Sequence, residues 1–190
     1  MKLSDPQMRE ALFTYLDNKY PKIRVFDEKE IGRSRADFIT VTDSTITGYE
    51  IKSDCDSYAR LKSQIRDYNK FCDFCYAVVG KSHQTGIVKR IPDFWGVLVI
   101  SNEGGETEVY EMRPPDMNPK DITDNKLSIL WKKEIQSIAV KYKLPKYSNK
   151  NKRYLLRMLR EIIPQKQLMQ AMTDELFERD YTEWETENPS

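Results

Sequence analysis

Residues 35–52 constrain the fold of this chain more than any other stretch, because they have the pattern of a β-hairpin. A β-branched run lies on each side of Asp43 and Ser44, which are residue types that favour turns. If these two residues form the whole loop, Asp37 lies directly opposite Glu50 on the neighbouring strand. The sequence therefore predicts two paired strands on which two acidic side chains face one another.

Three charged side chains are predicted to converge on one face of this hairpin. Because side chains alternate between faces with a period of two, Lys52 projects from the same face as Glu50 and Asp37. Like charges directly opposite on a sheet are destabilising, and one ammonium group balances only one of the two carboxylates. A hard divalent ion with oxygen ligands would supply the remaining positive charge. The alternative is a solvated face on which Glu50 and Lys52 merely pair with each other.

The next element is predicted to be an amphipathic helix over 57–71. Apolar and aromatic residues recur there at helical spacing, and Asp56 or Ser57 is placed to cap the N-terminus. Gln64 and Tyr68 are four residues apart, so they lie on one face of the helix. We expect them to hydrogen-bond a substrate or to hold a metal-bound water while the apolar stripe packs on the sheet.

Together these residues form an ordered series of three motifs that resembles the D…(D/E)-x-K…Q-x-x-x-Y pattern of the PD-(D/E)XK nuclease superfamily, in its RecB-like branch. A closer resemblance is to the sce-type bacterial proteins and to MmcB-like DNA-repair proteins. The superfamily is named after a Pro-Asp pair, which is Ala-Asp here, and this branch tolerates that departure. The residues that carry the likeness are Asp37, Glu50-Ile51-Lys52, Gln64 and Tyr68.

The resemblance covers residues 23–112 and, with lower specificity, 130–179. It implies an α/β fold with a restriction-endonuclease-like mixed β-sheet flanked by helices, followed by an all-helical C-terminal extension. It also implies a hydrolase that cuts phosphodiester bonds of nucleic acid, with DNA favoured, and that depends on Mg²⁺ or Mn²⁺. A role in DNA repair or defence would follow.

The same resemblance assigns a set of metal ligands. Asp37, Glu50 and the backbone carbonyl of Ile51 would hold the ion. Family members commonly supply a further acidic residue near the end of the first strand. Glu28 is our candidate for that third carboxylate, and Glu10 is the alternative.

Three further residues complete the predicted catalytic set. Lys52 would orient or deprotonate the attacking water, or stabilise the developing negative charge, and the sequence does not separate these roles. Gln64 and Tyr68 would position the water or the phosphate backbone. The candidate catalytic residues are therefore Asp37, Glu50, Lys52, Gln64 and Tyr68.

Local patterns predict the remaining elements and a division of the chain. A nuclease-like domain is expected over 1–115, a basic helical extension over 125–181 and an acidic tail over 182–190. Apolar runs bounded by turn residues indicate strands, and a period of 3.6 residues indicates helices. These patterns place a helix at 5–19, strands at 23–26, 74–79, 95–100 and 107–112, and helices at 127–139, at 148–163 and after Pro164.

The charge is distributed unevenly, although the net charge is only +1. Between 132 and 160 basic residues greatly outnumber acidic ones, and such an excess suits phosphate binding. We predict that Lys150, Lys152, Arg153 and Arg157 contact nucleic acid. The ordinary alternative is a solvated helical face. The ten basic residues are Lys132, Lys133, Lys141, Lys143, Lys146, Lys150, Lys152, Arg153, Arg157 and Arg160.

Several classes of site are unsupported. Cys72-x-x-Cys75 has no second cysteine pair, and with His83 it offers at most three ligands, so core packing is favoured over zinc. One histidine makes a Ser-His-Asp triad improbable, and no phosphate-binding glycine motif is present. Three cysteines and the lack of a long apolar run predict a cytoplasmic protein without a membrane partner.

Two other classes of function stay open. A nucleic-acid-binding module could keep the nuclease scaffold and act through a partner or cut poorly alone. A purely structural protein is disfavoured by the convergent charges. Salt-sensitive binding without metal-dependent cleavage would favour the binding module.

Overall fold

The structure of the chain, a computed structural model, describes residues 2–103, 105–145 and 150–180. The chain forms two compact units, and the boundary between them lies between Thr123 and Asp124. The predicted acidic tail over 182–190 and Lys146 of the predicted basic set lie outside the described residues.

In the described part of the first unit, six strands form one mixed sheet in the order β1-β2-β3-β4-β5-β6. The two central pairs, β3 with β4 and β4 with β5, are parallel, and the outer pairs are antiparallel. This confirms the predicted α/β class with a mixed sheet and flanking helices. The strands are β1 (Arg24–Ile31), β2 (Ser34–Thr42), β3 (Thr45–Lys52), β4 (Phe74–Gly80), β5 (Gly96–Glu103) and β6 (Glu106–Arg113).

The hairpin between β2 and β3 has the predicted register. Thr42 pairs with Thr45, and the same register continues to the pair Phe38 and Tyr49. The two-residue turn places Ser44 in the left-handed region, with a φ of 62°. The predicted turn is therefore confirmed, and it sets which side chains lie across from one another near the far end of the hairpin.

One face of the sheet is covered by helix α1 (Asp5–Lys19), as the sequence predicts. Met8, Leu12 and Leu16 project from one side of α1 at spacings of four residues and are buried. They pack in one core cluster with sheet residues that include Phe38 and Tyr49. Since Phe38 and Tyr49 are cross-strand partners, the residues beside them in sequence belong to the opposite face.

Helix α2 (Leu61–Phe71) contacts β1, β2 and β3. It begins four residues later than predicted, because Asp56 is used elsewhere: its Oδ2 accepts hydrogen bonds of 2.8 Å from the Ser53 backbone N–H and hydroxyl. The Asp56 side chain therefore closes a turn after β3 instead of capping the helix. Leu61 and Tyr68 are buried, and the Tyr68 ring packs edge-on against Trp95 at 5.6 Å between ring centroids.

The second unit is helical in the part that the structure describes. The predicted helix over 127–139 is broken, because the Trp131 backbone N–H donates to Glu134 Oε2 at 2.6 Å and starts a new helix. Glu134 also forms a buried ion pair with Arg179, whose guanidinium lies 4.2 Å from the centre of the Trp131 ring. The helices are α4 (Thr123–Leu127), α5 (Lys132–Lys141), α6 (Lys152–Ile162) and α7 (Gln165–Glu178); the short α3 (Gln84–Ile87) belongs to the first unit.

Among the residues described, no helix has the length and apolar character that crossing a bilayer requires. All three cysteines are free, with Cys55 exposed and Cys72 and Cys75 buried. The two buried cysteines pack in the core, as the sequence predicts.

Candidate active site

The β2–β3 hairpin brings the predicted charged residues together. Asp37 lies in β2, and Glu50 and Lys52 lie at the end of β3. The Glu50 side chain is fully buried, Lys52 is 7% exposed, and the side chain of Asp37 is 19% exposed. An arrangement in which Glu50 and Lys52 pair on a solvated face is therefore wrong, because both are removed from water.

Asp37 is held on both carboxylate oxygens. Its Oδ2 accepts a 2.7 Å hydrogen bond from the backbone N–H of Ile51 on the neighbouring strand. Its Oδ1 accepts a 2.9 Å bond from Nη2 of Arg9 on α1. Burial raises the pKa of Asp37 above its ordinary value, although the Ile51 hydrogen bond and the Arg9 charge act in the opposite direction. Asp37 is thus a fixed and only partly hydrated carboxyl group.

Glu50 and Lys52 form a buried ion pair. The Lys52 ammonium donates to Glu50 Oε1 and, at 3.2 Å, to the backbone carbonyl of Ile51. Glu50 Oε2 is buried and has no hydrogen-bond partner among the described residues. Burial and, next, repulsion from Asp37 raise the pKa of Glu50 from 4.5 to about 7, and the Lys52 charge opposes this rise. A buried carboxylate oxygen without a partner is costly and needs an explanation.

This raised pKa predicts how the stability of the protein depends on pH. A folded-state pKa of about 7, above the ordinary value of 4.5 for a glutamic acid, means that the folded protein holds the proton of Glu50 more tightly than the unfolded chain. This contribution to stability is complete below pH 4.5 and is lost as the pH rises through 7. Glu50→Gln keeps a neutral side chain at every pH, so it should be more stable than the wild type at pH 8 without divalent ions, by about 3 kcal/mol.

Urea unfolding of both proteins from pH 4 to 8 in the presence of a chelator measures this difference, which should widen with rising pH. A Glu50→Gln variant that is less stable than the wild type across this range would contradict the pKa assignment.

Tyr68 has a structural position, which corrects its predicted contact with water or phosphate. Its side chain is fully buried, and its hydroxyl donates to the Tyr49 carbonyl at 2.9 Å and accepts from the Asp37 N–H at 3.0 Å. Burial raises the pKa of Tyr68 well above its ordinary value, so the phenol stays neutral. Tyr68 therefore ties β2 to β3 directly beside the charged residues and acts as a positioning residue.

Gln64 lies one turn before Tyr68 on α2 and is partly buried. Its side-chain oxygen is buried and has no hydrogen-bond partner in the part of the chain that is described. This oxygen is available to accept a hydrogen bond from a water molecule or a ligand. The predicted role of Gln64 in positioning water stays a prediction.

Glu28 lies near Asp37, because both contact Nη2 of Arg9, but among the described residues it does not complete a three-carboxylate group with Asp37 and Glu50. It has a φ of 50° and pairs with Arg35 at 2.8 Å and with Arg9 at 3.5 Å. Nowhere in the described ranges do three His, Cys, Asp or Glu side chains form a group that could hold a metal ion. Arginines engage Glu28 in this arrangement, and its predicted role as a third metal ligand stays a prediction.

The alternative third ligand and the alternative zinc set are also placed elsewhere. Glu10 is exposed on α1. His83 Nδ1 is 2.8 Å from the Tyr58 hydroxyl, so its contact is with a phenol. The zinc set of two cysteines and this histidine does not form a metal-binding group among the described residues.

The remaining oxygen donors fit a hard divalent ion. Asp37 and Glu50 supply carboxylates, Ile51 supplies a carbonyl oxygen, and Mg²⁺ and Mn²⁺ prefer such ligands. The partnerless Oε2 of Glu50 is the observation that favours this fit, since a cation would satisfy it. The set is smaller than the predicted one, and the rest of the coordination sphere would come from water or substrate.

Basic side chains border a groove of about 1060 Å³ in the second unit. Lys152, Arg153 and Arg157 of the predicted nucleic-acid-binding set line it, whereas Lys150 lies 5.1 Å from the centre of the Tyr154 ring. Some of these charges are engaged: Lys152 donates to the Ser128 carbonyl at 2.7 Å, and Arg157 lies 3.7 Å from Glu161. Arg153 is exposed. Binding of nucleic acid by these residues stays a prediction.

Comparison with solved structures gives two neighbours. SPO1766, a protein of unknown function from Silicibacter pomeroyi, is 18% identical, with a TM-score of 0.50 over 75% of this chain and 90% of that chain. This likeness concerns the fold alone. SfsA from Pyrococcus furiosus, solved in complex with Ca²⁺, is 13% identical, with a TM-score of 0.37 over 58% of this chain and 62% of that chain. An overlap of that size carries no argument.

Comparison at the level of sequence gives one family. No curated protein matches the chain. The family model described as bacteriophage P4 protein cII matches residues 2–186, which is nearly the whole chain. The protein therefore belongs to the family of bacteriophage P4 protein cII.

Proposed function

We propose that this protein is a nuclease that hydrolyses phosphodiester bonds with the help of Mg²⁺ or Mn²⁺, and that DNA is its favoured substrate. One observation carries the proposal: Glu50 is a fully buried carboxylate, next to Asp37 and Lys52, and its Oε2 has no hydrogen-bond partner in the part of the chain that the structure describes. If the Glu50–Lys52 ion pair served only to stabilise the fold, it would not need the carboxylate of Asp37 beside it. The sequence resemblance to PD-(D/E)XK nucleases supports the same function.

Each side chain has a role in this proposal that follows from its contacts. Asp37, Glu50 and the Ile51 carbonyl would hold the ion, which when bound would supply Lewis-acid chemistry by acidifying water and polarising the phosphate. Lys52 already donates to Glu50 and to Ile51, so its ammonium is placed beside these ligands to stabilise negative charge in the transition state. The free oxygen of Gln64 orients the attacking water.

The basic groove of the second unit would bind backbone phosphates in this proposal. Contacts to phosphate release counterions, so affinity should fall steeply with salt. Arg153, which is exposed, and Arg157 would contribute through charge and without reading bases.

The experiment that tests the proposed function is a metal titration. Wild-type protein and Asp37→Ala are incubated with labelled linear, circular, single-stranded and branched substrates in Mg²⁺, Mn²⁺ or a chelator. Cleavage is expected only for the wild type and only with metal. Equal cleavage by both proteins would refute the assigned site, and salt-sensitive binding without cleavage of any substrate would favour a non-catalytic or partner-dependent DNA-binding module.

A further inference from the structure

The guanidinium of Arg9 lies among four carboxylates, an arrangement that the sequence patterns do not predict. Its three nitrogens each donate to a different acid, and one of them also lies near a fourth. The contacts are Nε to Asp5 at 2.6 Å, Nη1 to Asp27 at 2.7 Å, Nη2 to Asp37 at 2.9 Å and Nη2 to Glu28 at 3.5 Å.

This arrangement puts a permanent positive charge where the carboxylates would otherwise repel one another. The Arg9 side chain is only 20% exposed, so its charge is poorly screened by water. An arginine does not lose its proton in a protein, so only movement of the side chain, and not titration, removes this charge. In the metal-free protein Arg9 thus reduces the repulsion between the carboxylates, as a bound cation would.

The contacts of Asp37 show which oxygen Arg9 and a divalent ion would both bind. Its Oδ2 is used by the Ile51 N–H and its Oδ1 by Arg9, so both oxygens are engaged. Oε2 of Glu50, by contrast, has no hydrogen-bond partner within the described ranges. A divalent ion that binds Glu50 Oε2 and Asp37 Oδ1 must share that Asp37 oxygen with Arg9 or displace the Arg9 contact.

We infer that Arg9 is the resident counter-ion of the site and competes with the divalent ion for Asp37. This inference rests on the proposed metal-dependent function. Displacement does not set the side chain free, because its bonds to Asp5 and Asp27 do not involve Asp37. Arg9 gives up one of three strong hydrogen bonds, which keeps the exchange reversible.

Direct Mn²⁺ binding, measured by electron paramagnetic resonance of the free ion, tests the inference without an activity assay. Arg9→Gln should bind Mn²⁺ about tenfold more tightly than the wild type, since a unit positive charge is removed from within a few ångströms of the ion. Arg35→Gln is the matched control: it removes the same charge and a contact to Glu28, and its side chain is 65% exposed. It should change the affinity by no more than about twofold.

A second variant and a second readout keep the test decisive if Arg9→Gln folds poorly. Arg9→Lys retains the charge but cannot donate to three carboxylates in one plane, so its Mn²⁺ affinity should be intermediate. Thermal unfolding should show a lower melting temperature than the wild type for both variants in chelator and a larger rise for both on adding Mn²⁺.

Asp37→Asn separates failure of the inference from failure of the proposed function. If Mn²⁺ binding depends on Asp37 but is unchanged or weakened in Arg9→Gln and Arg9→Lys, Arg9 is a support for Asp37, and the inference is overturned while the proposed function stands. If neither the wild type nor the Arg9 variants bind Mn²⁺ through Asp37, both are overturned.

Discussion

Replacing Lys52 by alanine is expected to lower metal-dependent cleavage of the best substrate by at least about a thousandfold. The Lys52 ammonium contacts Glu50 and the Ile51 carbonyl, so it is within reach of the same phosphate that the ligands would face. Lys52→Arg should be nearly as inactive, because a side chain that is 7% exposed leaves little room for a larger, planar group. Initial rates at saturating Mn²⁺ measure the loss.

Lys62→Ala is the matched control for this prediction. Lys62 is an exposed lysine at the start of α2, so its removal should leave the rate within about twofold of the wild type. Circular dichroism should report a folded Lys52→Ala protein, since Glu50 can take up a proton once its partner is gone. A folded Lys52→Ala protein that cleaves at the wild-type rate would remove Lys52 from the mechanism.

Gly48→Ala is expected to destabilise the first unit by about 3 kcal/mol or more. A Cβ added at Gly48 would collide with the ring of Tyr68, lying 2.7 Å from Cε1, and would lie 2.8 Å from the sulfur of Cys72. Both obstacles are fully buried, so neither can move into solvent. The Tyr68 hydroxyl bonds to Asp37 and Tyr49 would be strained with the ring, so any activity should fall as well.

Gly86→Ala tests whether this effect belongs to the site or to glycine in general. The nearest atoms to a Cβ at Gly86 are 3.6 Å away, and the residue lies in a short helix, so the change in unfolding free energy should stay within about 1 kcal/mol. Urea unfolding compares the two variants. A Gly48→Ala protein as stable as Gly86→Ala would mean that Tyr68 does not pack tightly on β3.

Local sequence patterns were sufficient for the elements that build the site. The turn residues Asp43 and Ser44 between two β-branched runs set the hairpin register, and that register alone brings Asp37 toward Glu50. The helical period of residues 5–19 predicted the bounds of α1, and Met8, Leu12 and Leu16 recur at that period as its buried residues. Each of these signals depends on neighbours that are close in the chain.

Contacts between distant residues could not be predicted in the same way. Arg9 and Asp37 are 28 positions apart, and nothing in the amphipathic pattern of α1 marks Arg9 as different from other basic residues on a helix surface. The same reason applies to the ion pairs of Glu28, because the two arginines that engage it come from different elements. Tyr68 was predicted to contact water or phosphate at the site. Its hydroxyl instead bonds to the Asp37 N–H and the Tyr49 carbonyl, so it holds the two strands of the site together.

Competition between local interactions explains the misplaced helix starts. Asp56 is a good N-cap residue, yet its carboxylate is more effective in closing the turn with Ser53. Apolar spacing predicts one helix over 127–139. The Glu134 carboxylate accepts a hydrogen bond from the backbone N–H of Trp131, however, and this cap starts a new helix. In both cases an acidic side chain hydrogen-bonds a nearby backbone N–H, and the spacing of apolar residues does not indicate which N–H it binds.

The most direct test of the proposed site is anomalous diffraction from crystals grown with Mn²⁺. We expect a single strong Mn²⁺ peak at about 2.2 Å from an Asp37 oxygen and from Glu50 Oε2, with the Ile51 carbonyl as a further ligand. Crystals of Asp37→Asn should lose the peak. A peak bound elsewhere, or none near these two carboxylates at millimolar Mn²⁺, would contradict the assignment of the buried charges to metal-dependent catalysis.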